Sequence, residues 1–231
     1  MTRFAVATIS LTVLIVSFAV AQEIPSKVQV FAGYSLVHAD YGNLNGTIVD
    51  QDLRQPGGTF GLTGNYSGWS GEGQYNATRW IGIAGDVGGR YGTPFTTPGD
   101  HSARGLPAFT AYSFLAGPVI SYRTKSKITP YAHALFGVER ASLAASTITG
   151  TSTAVNSSAT SYDDFTMALG AGLDYKLNQR FSVRPAQLDW YHTSLDLNKF
   201  YGSAFNEIGT FKGLTNHENN LRFSAGVVAR F

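Results

Sequence analysis

From Lys27 to Val37 the chain reads K-V-Q-V-F-A-G-Y-S-L-V. Val28, Val30, Ala32, Tyr34 and Leu36 share one face, and Gln29, Phe31, Gly33 and Ser35 share the other. A period of two marks an extended strand, whose successive side chains point to opposite sides. The alternation returns at 69–76, 81–91, 112–122, 131–139, 165–175, 187–191 and 221–231. It predicts eight strands of about 9–12 residues, the length of a tilted membrane-crossing strand and longer than the ~5–6 residues common in soluble sheets. The connections alternate too. Those at 76–79, 124–127 and 178–180 are tight, whereas those near 38–67, 92–110, 141–163 and 193–218 are long and polar. Short turns at one end and long loops at the other form the outer-membrane barrel pattern. The predicted fold is therefore all-β: a closed eight-stranded antiparallel up-and-down transmembrane β-barrel with long extracellular loops. An even strand number puts both mature termini at the short-turn end.

The two faces differ in chemistry. Tyr34, Trp69, Tyr75, Tyr91, Tyr112, Tyr122, Tyr175, Trp190 and Phe231 fall on the apolar face, mainly near strand ends, where membrane barrels carry aromatic girdles. The opposing face is built of Gly, Ala and Ser with isolated charges: Glu72, Asp86, Arg90, Glu139, Asp174, Asp189, Arg222 and Arg230. Small residues suit the inside of a narrow eight-strand barrel. Charges enclosed there must pair, because an isolated buried charge is very costly. These eight are read as a salt-bridged interior with no continuous pore. Pro118 and Pro185 each remove a ladder donor, which predicts a bulge or a local break. Arg184 lies on the outward phase of a regular seventh strand, and a bulge at Pro185 returns it to the interior.

Residues 1–21 read as a secretory signal peptide: a single Arg3, an apolar stretch from Phe4 to Val20, and Ala19-Val20-Ala21 as a cleavage site. The mature barrel domain is then 22–231. Composition narrows the function. Only 14% of residues are charged and 13% are aromatic, the net charge is +2, and there is no Cys. A basic track for nucleic acid is missing, as are thiolate metal sites, disulfides and thiol nucleophiles. No phosphate-binding Gly loop, HExxH, EF-hand loop or GxSxG motif occurs. His38, His101, His133, His192 and His217 share no ligand spacing, and the acids Asp50, Asp52, Asp163 and Asp164 read as solvated loop charges. Neither a metal nor a cofactor is expected.

Six segments carry a resemblance: V-Q-V-F-A-G-Y-S (28–35), G-Q-Y-N-A-T-R-W-I-G-I-A-G-D (73–86), F-L-A-G-P-V-I-S-Y-R (114–123), I-T-P-Y-A-H-A-L-F-G (128–137), L-G-A-G-L-D-Y-K-L (169–177) and N-L-R-F-S-A-G-V-V-A-R-F (220–231). In order and spacing the chain resembles the OmpA/OmpX-type outer-membrane β-barrel domain over nearly all of 22–231. The resemblance implies a Gram-negative outer-membrane location, and Phe223 and Phe231 as the signal read by the barrel-assembly machinery. It implies outer-membrane lipid as the surroundings. The leading functional expectation is a non-enzymatic barrel that supports the envelope and meets extracellular ligands through its loops, with 141–161 as the most variable of them. The chief rival is a lipid A deacylase-like enzyme, in which His192 serves as base for Ser194 and Glu207 orients it. A small pore and a periplasmic barrel that binds an apolar ligand are the others.

Overall fold

The computed structural model describes residues 26–40, 46–49, 56–62, 64–92, 95–96, 107–149, 154–204 and 217–231. Residues 1–21 lie outside the described residues, as do Asp50, Asp52, His101 and Glu207. Eight long strands form the body: β1 (Val28–Asp40), β2 (Asn65–Asn76), β3 (Ile81–Gly92), β4 (Phe109–Ser121), β5 (Ile128–Leu143), β6 (Thr160–Lys176), β7 (Phe181–Thr193) and β8 (Glu218–Arg230). Each pairs antiparallel with its sequence neighbour, and β1 closes on β8 with Gln29 opposite Arg230 and Asp40 opposite Asn219. Closure leaves the barrel sheet without an edge, which a membrane interior demands because lipid offers no hydrogen bonds. Among the described residues, short paired strands and a helix, α1 (Leu197–Ala204), decorate the long-loop end.

The strands run 12–17 residues, longer than the 9–12 that the sequence predicts. The additions lie mostly at the long-loop end. There β5 and β6 continue to the pair Thr160–Leu143 through Arg140, Asp163 and Asp164. Alternation of apolar and polar residues ends where the acyl chains end, but backbone pairing does not.

Outward side chains are apolar along the whole middle of the wall. Ile83, Phe114, Ile120, Phe165, Leu169 and Leu188 are all exposed, Ile83 by 63%. Apolar surface so extensive belongs in lipid. Among the described side chains, Arg140 and Asp163 are outward charges on the strands, and they pair at 3.2 Å at the loop end.

Two prolines act differently. Around Pro118 the β3–β4 register is unbroken, and the β4–β5 register is the same on both sides of a two-residue gap in pairing. At Pro185 the register shifts by one between Arg184 and Gln187, and again on the β6 side between Leu173 and Tyr175. This is a β-bulge, one extra residue in one strand. It reverses the facing of β7. Ser182 and Arg184 point inward before it, and Gln187, Asp189 and Tyr191 point inward after it.

Candidate functional site: an ion-paired lumen

The register builds the lower part of the lumen. His133 on β5, Gly170 on β6, Asp189 on β7 and Arg222 on β8 stand opposite one another in a row. Gly170 lacks a side chain, so the His133 imidazole Nε2 reaches Asp189 Oδ1 at 3.0 Å across it. A Cβ at Gly170 would collide with both. Asp189 Oδ2 accepts from Arg222 Nε at 2.8 Å and from Gln187 Nε2 at 2.8 Å. Arg222 then crosses the lumen to grip both oxygens of Asp86 at 2.9 and 3.1 Å, a bidentate geometry that suits a guanidinium.

Asp86 stands directly opposite Glu72. Two facing carboxylates repel, so each needs its own cation. Arg222 serves Asp86. Glu72 accepts from Arg184 Nη1 at 3.1 Å and contacts His133 Nδ1 at 3.4 Å. Arg184 Nε also donates to Asp174 at 2.8 Å, with Arg230 3.9 Å from the other oxygen of that carboxylate. One chain of contacts therefore runs Asp174–Arg184–Glu72–His133–Asp189–Arg222–Asp86 through the barrel. The guanidiniums also lie over aromatic rings. Arg184 lies 4.4 Å from the Phe31 ring centroid and 4.2 Å from that of Tyr131, and Arg222 lies 4.6 Å from that of Tyr191. Such cation–π contacts strengthen where water is excluded.

Toward the loop end a second cluster forms. Arg90 donates to Glu139 at 2.5 Å and to Glu218 at 2.9 Å. Between the clusters lies a cavity of about 20 Å³ bordered by Arg90, Glu139, Tyr191 and Arg222, room for about one water molecule. Apolar side chains then cover the second cluster. Arg90 lies 5.2 Å from the Phe109 ring centroid, and Phe109 meets Phe200 edge-on at 6.2 Å. Phe200 sits on α1, which Asp196 starts by accepting the Lys199 N–H at 3.2 Å, the N-cap arrangement. Leu195, Leu197 and Phe200 are buried against the mouth.

Of the eight charges singled out in the sequence, seven are buried and Arg230 is partly so. Arg90 and Glu139 join the second cluster, and the others meet in the first. The sequence left Arg184 open between the two faces, and the eight charges omitted His133 and Glu218. Arg184 is 1% exposed, and its inward turn depends on the Pro185 bulge. His133 shares its phase with Glu139 on β5, and that phase was the available signal. Glu218 precedes the recognised alternation of β8 and carried none.

Phe223 and Phe231 face outward, Phe231 being 74% exposed. His192 Nδ1 lies 3.0 Å from Asn219 Oδ1, and its ring packs 5.7 Å from Trp190 and 5.5 Å from His217. Ser194 is exposed and donates its backbone N–H to Phe165 O at 2.9 Å. Among the described residues no three His, Cys, Asp or Glu side chains gather as metal ligands.

A closed antiparallel wall, apolar outside and ion-paired inside, defines a membrane-spanning β-barrel of the bacterial outer-membrane class. The chain belongs to the outer membrane protein beta-barrel domain family, whose model matches residues 6–231, and its location is the outer membrane. Solved structures agree on the fold. OprG of Pseudomonas aeruginosa is 12% identical, with 90% of this chain and 97% of that one covered at a TM-score of 0.54. Ail, the attachment invasion locus protein of Yersinia pestis, is 15% identical, with 90% and 100% covered at 0.50. No curated protein sequence matches the chain.

Proposed function

We propose that the protein is a non-enzymatic outer-membrane barrel with a shut lumen, which supports the envelope and makes its contacts outside through the long loops. The observation that carries this reading is the double closure. Ion pairs tie β2, β3, β5, β6, β7 and β8 together across the interior, and the apolar group around Phe200 covers the mouth. Eight strands leave an interior only wide enough for side chains, and here the side chains fill it. In the same reading residues 1–21 are removed as a signal peptide after Ala21, and the outward Phe223 and Phe231 are presented to the barrel-assembly machinery during insertion. The interior charges serve as structural ties, each acid in contact with at least one basic side chain.

Planar-bilayer recording of the purified, folded barrel tests the closure. A silent membrane is the expected result, and discrete conductance steps overturn it. Incubation with lipid A tests the non-enzymatic part. Acyl chains should remain intact; their release by the parent protein and its loss in Ser194→Ala would overturn it.

A further inference from the structure

The short-turn rim carries chemistry that the ion-paired lumen does not use. Lys27 precedes β1, Arg79 lies between β2 and β3, Lys125 and Lys127 between β4 and β5, and Lys176 and Arg180 flank the turn between β6 and β7. Backbone hydrogen bonds set these positions side by side around the barrel. Asn76 N donates to Lys27 O, Lys176 N to Lys127 O and Arg230 N to Arg180 O, at 2.7–2.8 Å. The turns 77–80, 122–127 and 177–180 contain no acidic residue. At the opposite end the described charges are mixed, with Asp163, Asp164 and Asp196 beside Arg140 and Lys199.

Depth decides what the ring meets. Directly beside the cations stand the outward apolar residues Ile81, Ile120, Ile128, Leu177 and Phe181, all exposed. Trp80 stacks on Tyr122 with ring centroids 5.0 Å apart, and the Arg79 guanidinium lies 5.0 Å from the indole centroid. Indole and phenol rings among cations, one residue from a hydrocarbon-facing belt, mark the headgroup layer of a bilayer. A cation at that depth lies at the level of lipid phosphates.

We propose that the short-turn rim is a binding ring for anionic phospholipid headgroups, with Arg79, Lys125, Lys127, Lys176 and Arg180 as the phosphate contacts and Trp80 and Tyr122 as the shelf that fixes their depth. The ring selects net-negative headgroups over zwitterionic ones in the leaflet it touches, and it biases the barrel toward one tilt and depth. This goes beyond the shut-lumen reading and stands without it, because none of its cations belongs to the chain of lumen contacts from Asp174 to Asp86.

Trp80 reports on this leaflet. In a Trp69→Phe/Trp190→Phe background, quenching by brominated phosphatidylglycerol is compared with quenching by brominated phosphatidylcholine in mixed vesicles. Gel mobility before and after boiling confirms that every variant is folded. A cation near a charged lipid surface favours the anionic species about fivefold, so a preference of about three- to fivefold is expected. It should fall toward one in Lys125→Gln/Lys127→Gln/Lys176→Gln/Arg180→Gln, and in the unsubstituted ring at high salt, where screening shortens to a few ångström. A preference of one in the unsubstituted ring overturns the proposal, as does a preference that neither salt nor the four substitutions change. Co-sedimentation of the barrel with purified peptidoglycan, abolished by the same substitutions and accompanied by a lipid preference of one, would assign the ring to the cell wall instead.

Discussion

Replacing Arg222 by Met removes the guanidinium that joins Asp189 to Asp86 while keeping an unbranched side chain over the Tyr191 ring. At about 4 Å between charge centres and an effective dielectric of about 20, each carboxylate gains about 4 kcal/mol from a cation. The gross loss is therefore about 8 kcal/mol, offset by the several kcal/mol no longer needed to desolvate the arginine. Breaking a buried pair from one side leaves a net cost of about 3–5 kcal/mol, a fall of roughly 10²–10⁴-fold in the folding equilibrium constant. Among the described residues Asp86 then keeps the Tyr191 hydroxyl, at 3.2 Å. Urea titration in lipid vesicles, read by tryptophan fluorescence and by gel mobility, measures the loss. Asp86→Asn should cost stability in the parent protein and restore about 1–3 kcal/mol in the Arg222→Met background, since it removes the stranded carboxylate. A loss below about 1 kcal/mol for Arg222→Met, or the same Asp86→Asn effect in both backgrounds, would mean that water already solvates these groups.

Glycine positions should separate sharply. Gly170→Ala drives a methyl into Asp189 and His133 and should cost about 1–3 kcal/mol, whereas Gly73→Ala meets nothing within 4 Å and should be neutral or slightly stabilising by the same urea titration. Leu169→Arg puts a charge on the lipid face and should cost about 2–4 kcal/mol if Leu169 lies near the bilayer midplane. Deleting Pro185 removes the extra residue of β7 and leaves one regular alternation in which Ser182, Arg184, Gln187 and Asp189 all still face inward, so the folded, fast-migrating gel band should be retained; its loss would mean that the bulge itself is required. Phe231→Ala should lower insertion by the cellular assembly machinery while leaving refolding of the purified chain into detergent unchanged.

How much of this was legible in the sequence depended on whether a residue's surroundings leave a periodic trace. The wall did. Ile81, Ile83, Val87 and Tyr91 alternate with Ala84, Asp86, Gly88 and Arg90 because hydrocarbon and lumen make opposite demands on successive residues. The strand extensions did not, because Thr160 to Asp164 project beyond the acyl chains, where both sides tolerate polar groups. Arg184 was left open by a break in phase, since Pro185 could be read as a bulge or as a simple interruption, and only the bulge puts Arg184 inside. The pairing of His133 with Asp189 depended on three strands in register and on the missing side chain of Gly170, a relation between distant segments that one strand's pattern cannot hold. The cover formed by Leu195, Leu197 and Phe200 lies in a connection whose two-turn helix is too short to give a clear helical repeat.

Because the chain contains no Cys, single cysteines placed at each position from Phe165 to Asp174 report on their surroundings without background. Nitroxide labels at Phe165, Met167, Leu169, Ala171 and Leu173 should respond to oxygen, which dissolves in lipid, and hardly to a water-soluble relaxation agent. Cysteines at the intervening Thr166, Ala168, Gly170, Gly172 and Asp174 should resist aqueous thiol reagents from either side. If the first set proves accessible to the aqueous agent, or the second reacts with aqueous reagents as fast as a cysteine in an exposed loop, the wall does not separate acyl chains from a shut, ion-paired interior.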